Sequence, residues 1–314
     1  MSADARIAPG STSRVRVPAT SANLGPAFDA AGVALSLYDD VEVHVTDGGC
    51  HVEVEGEGTG TLPVDESHLV VRALRAGLEH AGVAQPGITL RAVNRIPHGR
   101  GLGSSAAATV AGLLAARDLL ARGPGRHLDD AAVLRLATRF EGHADNVGAT
   151  LCGGLTLVWE SDGALGAHRL DVHPDVEALV LVPAETLSTS RARGLLPASV
   201  PHRAAAFNAG RAALLVTALC MRPDLLLPAT EDRLHQPYRA GAFPESMTVL
   251  TRLRSDGHAA VISGAGPSVL VLGTAASLER VETGDRWTPH RLRIEQDGAR
   301  VLGDVEAIGA LRSP

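Results

Sequence analysis

Three glycines and two serines follow one another closely in residues 97–107 of the sequence. The candidate ligand-binding residues of this loop are Pro97, Gly99, Arg100, Gly101, Leu102, Gly103, Ser104, Ser105, Ala106 and Ala107. Glycine lets backbone N–H groups approach a ligand, and the start of a helix adds unpaired N–H groups with a partial positive charge. The loop therefore predicts an anion site, and phosphate is the usual anion at such a site.

The elements around this loop agree with that interpretation. Residues 88–93 have the composition of a strand, and residues 106–122 are rich in Ala and Leu, as in a helix. The alternative is a tight turn whose following helix is capped by Ser104. One hydroxyl cannot easily cap the helix and also meet a phosphate-bound Mg²⁺, and the neighbouring Ser105 removes that conflict.

The sequence contains no lysine, since all 29 basic residues are arginine. This excludes the lysine of the Walker A loop, the strand lysine of protein kinases and a Schiff-base lysine for pyridoxal phosphate. The dinucleotide fingerprint Gly-x-Gly-x-x-Gly also fails, because Ser104 and Ala106 stand where its third glycine belongs.

Four polar residues lie within six positions at the end of a helix predicted over residues 129–140. They are Glu141, His143, Asp145 and Asn146. Their density indicates a functional site, and the alternative is a solvated helix terminus. Mg²⁺ prefers oxygen ligands and few protein contacts, so Glu141 suits a metal better than His143 does.

Two further segments combine glycine or polar side chains with apolar neighbours. Asn23 and Asp29 lie in a loop predicted over residues 18–29, where each can bind a ligand or bond the local backbone. Gly264 and Gly266 lie between two predicted strands, where they form a turn or admit a ligand.

Two arginines, Arg193 and Arg239, each lie in a polar strip within apolar sequence. A planar guanidinium group binds a carboxylate or a phosphate through two parallel hydrogen bonds. The alternative is an ordinary solvated surface arginine.

Composition limits the classes of partner. The chain has 314 residues, a formal charge of −6 and no basic run, which gives no reason to expect nucleic acid or a membrane as a partner. Three scattered cysteines form no metal spacing and favour a reducing, cytoplasmic location. The oligomeric state is not decided by the sequence, and a homodimer is compatible with it.

The order of predicted elements is mixed α/β, with helices covering sheets on one side. Residues 38–45 and 51–54 are expected to pair as a hairpin across the turn 47–49. A break at residues 160–166 marks the expected boundary between two domains, 13–165 and 166–314.

The loop at 97–107 is similar to the nucleotide loop Pro-x-x-x-Gly-Leu-Gly-Ser-Ser-Ala of the GHMP small-molecule kinases. Four further segments resemble motifs of the homoserine kinase family within that superfamily, and they are residues 18–29, 141–147, 188–197 and 232–239. Residues 263–268 match the third motif of the superfamily, and all five segments follow in the expected order along the chain.

The resemblance implies a GHMP kinase fold, with an N-terminal domain of the ribosomal-protein-S5-domain-2 type and a C-terminal ferredoxin-like domain. It implies an enzyme that binds ATP and Mg²⁺ and phosphorylates homoserine on the pathway to threonine. The implied catalytic residues are Glu141, Asp145 and Asn146, and the implied metal ligands are Ser104 and Glu141. The residues implied around the acceptor are Asn23, Asp29, His143, Asp145, Asn146, Arg193, Arg239, Gly264 and Gly266.

The segment 18–29 departs from the family pattern at Ala27, Ala30 and Ala31. Alanine at position 27 would be strained if the backbone there needed a positive φ. Small residues at positions 30 and 31 would enlarge the acceptor pocket. A kinase for a related hydroxy amino acid or small alcohol is therefore the alternative, and a non-catalytic nucleotide or metabolite binder is the second one.

Overall fold

The computed structural model describes residues 6–123, 127–187 and 189–303, and they form two sheets covered by helices. The strands are β1 (Thr12–Asn23), β2 (Ala27–Thr46), β3 (Cys50–Gly56), β4 (Gly87–Asn94), β5 (Leu155–Ser161), β6 (Ala164–Leu170), β7 (Glu177–Pro183), β8 (Ala259–Ile262), β9 (Val269–Gly273), β10 (Trp287–Arg293) and β11 (Arg300–Val301). The mixed α/β architecture confirms the predicted fold class.

Helices occupy the connections between these strands. They are α1 (Leu69–Ala81), α2 (Ser104–Ala121), α3 (Asp130–Glu141), α4 (Asp145–Cys152), α5 (Thr189–Arg193), α6 (His202–Cys220), α7 (Leu226–Ala229), α8 (Gln236–Arg239), α9 (Pro244–Ser255) and α10 (Ala275–Leu278). None of the helices in these ranges is long and apolar enough to cross a membrane.

The first sheet has the order β11-β1-β2-β4-β3, and β5 and β6 extend it from β2. Its apolar face packs against α1 and α2, because α2 carries a continuous series of small and aliphatic residues that bury completely. The Asp129 side chain accepts a hydrogen bond from the N–H of Ala132 at 2.7 Å, which caps α3.

Two predictions about the first sheet are wrong. Residues 18–23 continue β1 rather than forming a loop, and the chain accommodates Pro18 because the pairing with β2 shifts register directly after it. The predicted hairpin does not form either. Strand β3 pairs in parallel with β4, which lies between it and β2, and α1 provides the crossover that a parallel pair requires.

The second sheet is antiparallel, with the order β10-β7-β9-β8. The boundary predicted between residues 165 and 166 falls inside β6, whose pairing with β5 keeps that strand in the first sheet. We propose that the division follows Leu170 instead. Residues 304–314 of the predicted second domain lie outside the described ranges.

The chain crosses from the second sheet back to the first after β10. Glu295 pairs with the backbone of Ala34, Ala299 donates to the carbonyl of Thr150 in α4, and β11 pairs with β1. We call residues 294–302 the return segment. It ties the two sheets together and contacts the C-terminal part of α4.

Candidate active site

The predicted anion loop joins the end of β4 to the start of α2. Gly99, Gly101 and Gly103 all have positive φ, at 65°, 75° and 69°. A Cβ atom on Gly103 would overlap the hydroxyl of Thr20, and one on Gly101 would overlap the carbonyl of Ser263. Glycine is therefore required at these two positions for backbone conformation and for space.

The start of α2 carries no side-chain cap. Its N-cap residue is Gly103, so the alternative in which Ser104 caps the helix is wrong. The first N–H groups of an α-helix have no partner within the helix and carry a partial positive charge. Because Gly103, Ser104 and Ser105 line a cleft, this charge lies at the cleft wall.

The cleft has a volume of about 120 Å³ and lies between the glycine loop and the loops of the second sheet. The predicted site residues that line it are Asn23, Gly99, Gly101, Leu102, Gly103, Ser104, Ser105, Glu141, His143, Asp145, Asn146, Arg193, Arg239, Gly264 and Gly266. The loops from both halves are held together by hydrogen bonds. The N–H of Leu187 donates to the carbonyl of Gly99, and the hydroxyl of Ser263 donates to that of Gly101.

Five predicted residues do not line this cleft. Ala106 and Ala107 are fully buried in the core, because they lie on the side of α2 that faces the sheet. Pro97 is also buried. The guanidinium of Arg100 points to the carbonyls of residues 183 and 184, where it fixes the loop. Asp29 is not a lining residue itself, but its side chain is 36% exposed and is paired with Arg193, which lines the cleft.

Asp145 is the centre of a buried polar group at the start of α4. Its Oδ1 accepts from Nδ1 of His143 at 2.9 Å and from the backbone N–H of Asn146 at 2.7 Å. The bond to Asp145 raises the pKa of His143 above its ordinary value, against the opposing effect of burial. The hydroxyl of Thr20 donates to the amide oxygen of Asn146 at 2.8 Å, which orients that side chain.

Glu141 ends α3 opposite the start of α2. Its Oε1 accepts from the hydroxyl of Ser105 at 2.6 Å and from that of Thr109 at 3.2 Å. Within the described ranges Oε2 takes no hydrogen bond. The serine bonded to Glu141 is thus the neighbour of Ser104, the predicted metal ligand. No group of three or more His, Cys, Asp or Glu side chains able to hold a metal occurs in the described part of the chain.

Asn23 makes a local hydrogen bond with Asp29 and a long-range one with Gly264. The amide oxygen of Asn23 accepts from the N–H of Asp29 at 3.0 Å, and its amide nitrogen donates to the carbonyl of Gly264 at 2.9 Å. Both residues have positive φ, 69° and 55°, which Asn and Asp tolerate better than most residues. Both carboxylate oxygens of Asp29 accept from Arg193, which raises the pKa of that guanidinium.

Arg239 is a buried cation at the cleft, with 1% of its surface exposed. Its Nε has no hydrogen-bond partner among the described residues. The guanidinium carbon lies 5.1 Å from the ring centre of Phe28, and that of Arg193 lies 5.4 Å from the same ring. Burial and the charge of Arg193 lower the pKa of Arg239. A buried cation of this kind needs an anion.

The three residues that differ from the family pattern, Ala27, Ala30 and Ala31, do not change the shape of the cleft. The residues of this segment with positive φ are Asn23, Leu24, Gly25 and Asp29, so Ala27 is not strained. Ala31 is buried in the core and Ala30 is exposed, and neither lines the cleft.

A second cavity of about 390 Å³ adjoins the cleft and shares Ser104 and Ser105 with it. It is mainly apolar, with Asp39 and His68 among its polar residues. No local sequence pattern indicates this cavity, because its lining comes from β1, β2, α1 and the loop before α1. Thr20, Phe28 and His235 were not predicted as site residues either, since each of them acts through a contact with a distant part of the chain.

The fold and this cleft define the class of the protein as a GHMP kinase. A family model for the N-terminal domain of GHMP kinases matches residues 68–154. The crystal structure of homoserine kinase from Cytophaga hutchinsonii is similar with a TM-score of 0.79 and 29% identity, over 93% of this chain and 97% of that one. A mevalonate kinase from L. major shares the fold, with a TM-score of 0.66 at 15% identity.

Relatives with higher sequence identity identify the family within this class. Homoserine kinase of Streptomyces coelicolor is 57% identical over 291 residues, which is 92% of this chain and 94% of that protein. Homoserine kinase of Mycolicibacterium smegmatis is 51% identical over 269 residues, 83% of this chain and 85% of that protein. The chain belongs to the homoserine kinase family.

Proposed function

We propose that the protein transfers the γ-phosphoryl group of ATP to the side-chain hydroxyl of L-homoserine, giving O-phospho-L-homoserine in threonine biosynthesis. A bond forms between the hydroxyl oxygen and the γ-phosphorus, the bond from that phosphorus to the β–γ bridging oxygen breaks, and the hydroxyl proton is released. The observation that carries the proposal is the buried guanidinium of Arg239 across the cleft from the glycine loop, whose Nε has no hydrogen-bond partner among the described residues.

The glycine loop is proposed to hold the phosphates. Backbone N–H groups at the start of α2 approach them closely because Gly101 and Gly103 carry no Cβ. The second cavity is proposed to hold the nucleoside, since it is apolar, of suitable volume and continuous with the loop at Ser104 and Ser105.

Ser104, Ser105 and Glu141 fit a magnesium ion. They provide oxygen ligands only, and a magnesium ion bound with phosphates needs one or two protein ligands rather than a full cage. The free Oε2 of Glu141 and the hydroxyl of Ser104 are the proposed ligands. When bound, Mg²⁺ supplies neutralisation of the charge on the transferring phosphoryl group.

The acceptor side matches a zwitterion with a hydroxyl. Arg239 and Arg193 are proposed to bind the carboxylate of homoserine, and Asp29 its ammonium group. Asp145 and Asn146 are proposed to orient the hydroxyl. His143, held by Asp145, and the loop glycines 264 and 266 complete the wall. Phosphoryl transfer depends mainly on such positioning and on charge neutralisation.

An assay of ADP release with a panel of acceptors tests this proposal. L-homoserine is expected to be the best substrate. 3-Amino-1-propanol, which has the same ammonium-to-hydroxyl spacing and no carboxylate, is expected to fall at least about tenfold in kcat/KM, the loss of one charge-assisted bond. Equal rates with the two compounds would contradict the carboxylate site and favour a kinase for another alcohol. Nucleotide binding without turnover of any acceptor would favour a binding protein.

We also propose that the protein forms a homodimer and is cytoplasmic. These proposals follow from the resemblance to homoserine kinases and from the amino-acid composition. Sedimentation velocity of the purified chain tests the assembly. The proposed chemistry of the cleft is independent of both, because every residue used above belongs to one chain.

A further inference from the structure

A fully buried histidine lies directly behind Arg239. His235 precedes α8, and its ring packs on Phe28 with 5.1 Å between ring centres. Its Nε2 lies 2.7 Å from the carbonyl oxygen of Gly25, and its Nδ1 lies 3.4 Å from a terminal nitrogen of the Arg239 guanidinium. The imidazole therefore bridges the acceptor segment and the buried arginine.

The partners of the two ring nitrogens define the tautomer. A backbone carbonyl only accepts hydrogen bonds, so Nε2 must carry the proton that faces Gly25. A guanidinium only donates, so Nδ1 must be the unprotonated nitrogen that faces Arg239. Only the neutral Nε2–H form of His235 satisfies both contacts, and an imidazolium would place an N–H and a positive charge against Arg239.

The charged groups around the ring agree with a neutral form. Burial lowers the pKa of His235, and the charge of Arg239 lowers it further, whereas Asp232 and Asp29 raise it. Asp232 lies 3.6 Å from Nε2, but its two oxygens already accept from the backbone N–H groups of residues 234, 235 and 236. Burial is the largest of these effects.

We propose that His235 is a positioning residue for the acceptor: its neutral Nε2–H tautomer holds the guanidinium of Arg239 in place to receive the carboxylate of the substrate. This inference rests on the proposed function. Among the described residues, the Arg239 side chain makes one hydrogen bond, to Nδ1 of His235, and the Nε of Arg239 has no partner. A guanidinium held on one side by Phe28 and His235 keeps its remaining donors for the acceptor.

Two substitutions separate the two ring nitrogens. In His235→Asn the amide oxygen takes the place of Nδ1, so the acceptor for Arg239 remains and the donor to Gly25 is lost. In His235→Gln the amide nitrogen takes the place of Nε2, so the donor to Gly25 remains and the acceptor for Arg239 is lost. His290→Gln is the control, because that half-buried histidine lies on β10 and does not line the cleft.

Steady-state kinetics with both substrates is the test. His235→Gln is expected to raise the KM for homoserine about tenfold, as for the loss of one hydrogen bond to a charged group, and to leave the KM for ATP within about twofold. His235→Asn is expected to keep the KM for homoserine within about threefold of wild type while lowering the melting temperature. Equal increases in both variants, or an unchanged KM in His235→Gln, would overturn the proposal.

A measurement on the wild-type protein covers the case in which a variant does not fold. Nitrogen-15 spectra of histidine-labelled protein are expected to show His235 as the Nε2–H tautomer at pH 7, with its signals assigned through either soluble variant. An Nδ1–H tautomer or an imidazolium would overturn the proposal. Failure of the proposed function can be distinguished from failure of the proposal for His235. In the first case the wild-type protein would not phosphorylate homoserine at all.

Discussion

The two sides of the cleft present charge in different ways. The side proposed for the nucleotide is built from backbone, with the glycines of one loop and the first N–H groups of α2 as its main elements. The side proposed for the acceptor is built from charged side chains, Asp29, Arg193 and Arg239, which lie far apart in the sequence. One side depends on the absence of side chains, whereas the other depends on their placement.

This difference has a consequence for robustness. A backbone site loses its function when a Cβ is added, and no neighbouring side chain can compensate. A side-chain site divides its binding energy over several groups, so that removing one group weakens binding and leaves the rest in place. The following predictions test this contrast.

The largest effect is expected for Gly103→Val. Its φ of 69° and the close contact to Thr20 leave no room for a branched side chain. We expect the protein to fold and kcat/KM for ATP to fall about a thousandfold, as when aligned backbone donors are displaced. Calorimetry with Mg·ATP measures the loss. Gly257→Val is the control, since Gly257 also has a positive φ but open space around it. Unchanged affinity in Gly103→Val would contradict a backbone site.

Glu141→Gln is expected to have the next largest effect. The amide keeps the bond from Ser105 but removes the charge that would hold a magnesium ion, so turnover should fall about a hundredfold. Titration with MgCl₂ should restore part of the activity. Glu160→Gln, at an exposed position on β5, serves as the control. Full activity at low Mg²⁺ would exclude Glu141 from the metal site.

Asp39→Asn tests how the glycine loop is attached to the sheet. The Asp39 carboxylate accepts from the N–H groups of Arg95 and Ile96 where the chain leaves β4, and burial raises its pKa to about 6. Because this pKa is above the unfolded value, the folded state holds the proton more tightly, and stability falls as pH rises from about 4 to about 6.

The asparagine variant keeps the acceptor and cannot ionise. Relative to wild type, its free energy of unfolding is therefore expected to increase across this pH range by up to about 3 kcal/mol. Urea unfolding at several pH values measures the difference, and the exposed Asp47→Asn serves as the control. Parallel pH profiles for wild type and Asp39→Asn would show that Asp39 is ionised at little cost.

The smallest effect is expected on the acceptor side. Arg239→Ala should raise the KM for homoserine about tenfold, because one charge-assisted bond is lost while Arg193 remains. The KM for ATP should stay within about threefold, since Arg239 does not contact the glycine loop. Arg233→Ala is the control, because that arginine packs on Phe207. An equal rise in both KM values would mean that the two sides of the cleft are not independent.

The glycine loop of the proposed nucleotide side could be predicted from the sequence, but the cavity beside it could not. The glycines, the helix after them and the strand before them are continuous in residues 87–121, so spacing alone indicated their arrangement. The cavity was missed because its lining comes from separate segments of the chain. Spacing also did not show that the N-cap is Gly103 or that Ser105 is the serine bonded to Glu141. Adjacent helical residues point about 100° apart, and spacing does not show which of them faces a partner.

The acceptor side was predicted as a set of residues without its geometry. Arg193 and Arg239 were named, but Phe28 between them was not, because an apolar residue in an apolar segment gives no signal. The role of His235 depends on contacts with residues 25 and 239, which no local pattern shows. The parallel pairing of β3 with β4 was missed for the same reason, since strand order is set by contacts across the sheet.

The return segment sets an order of events during synthesis. Strand β11 completes the edge of the first sheet beside β1, yet the ribosome makes it only after the whole second sheet. At about 5–20 residues per second, the first sheet waits several seconds with β1 unpaired on that side. Over this interval the nascent chain presents an open strand edge, which is a site for incorrect pairing or for a chaperone.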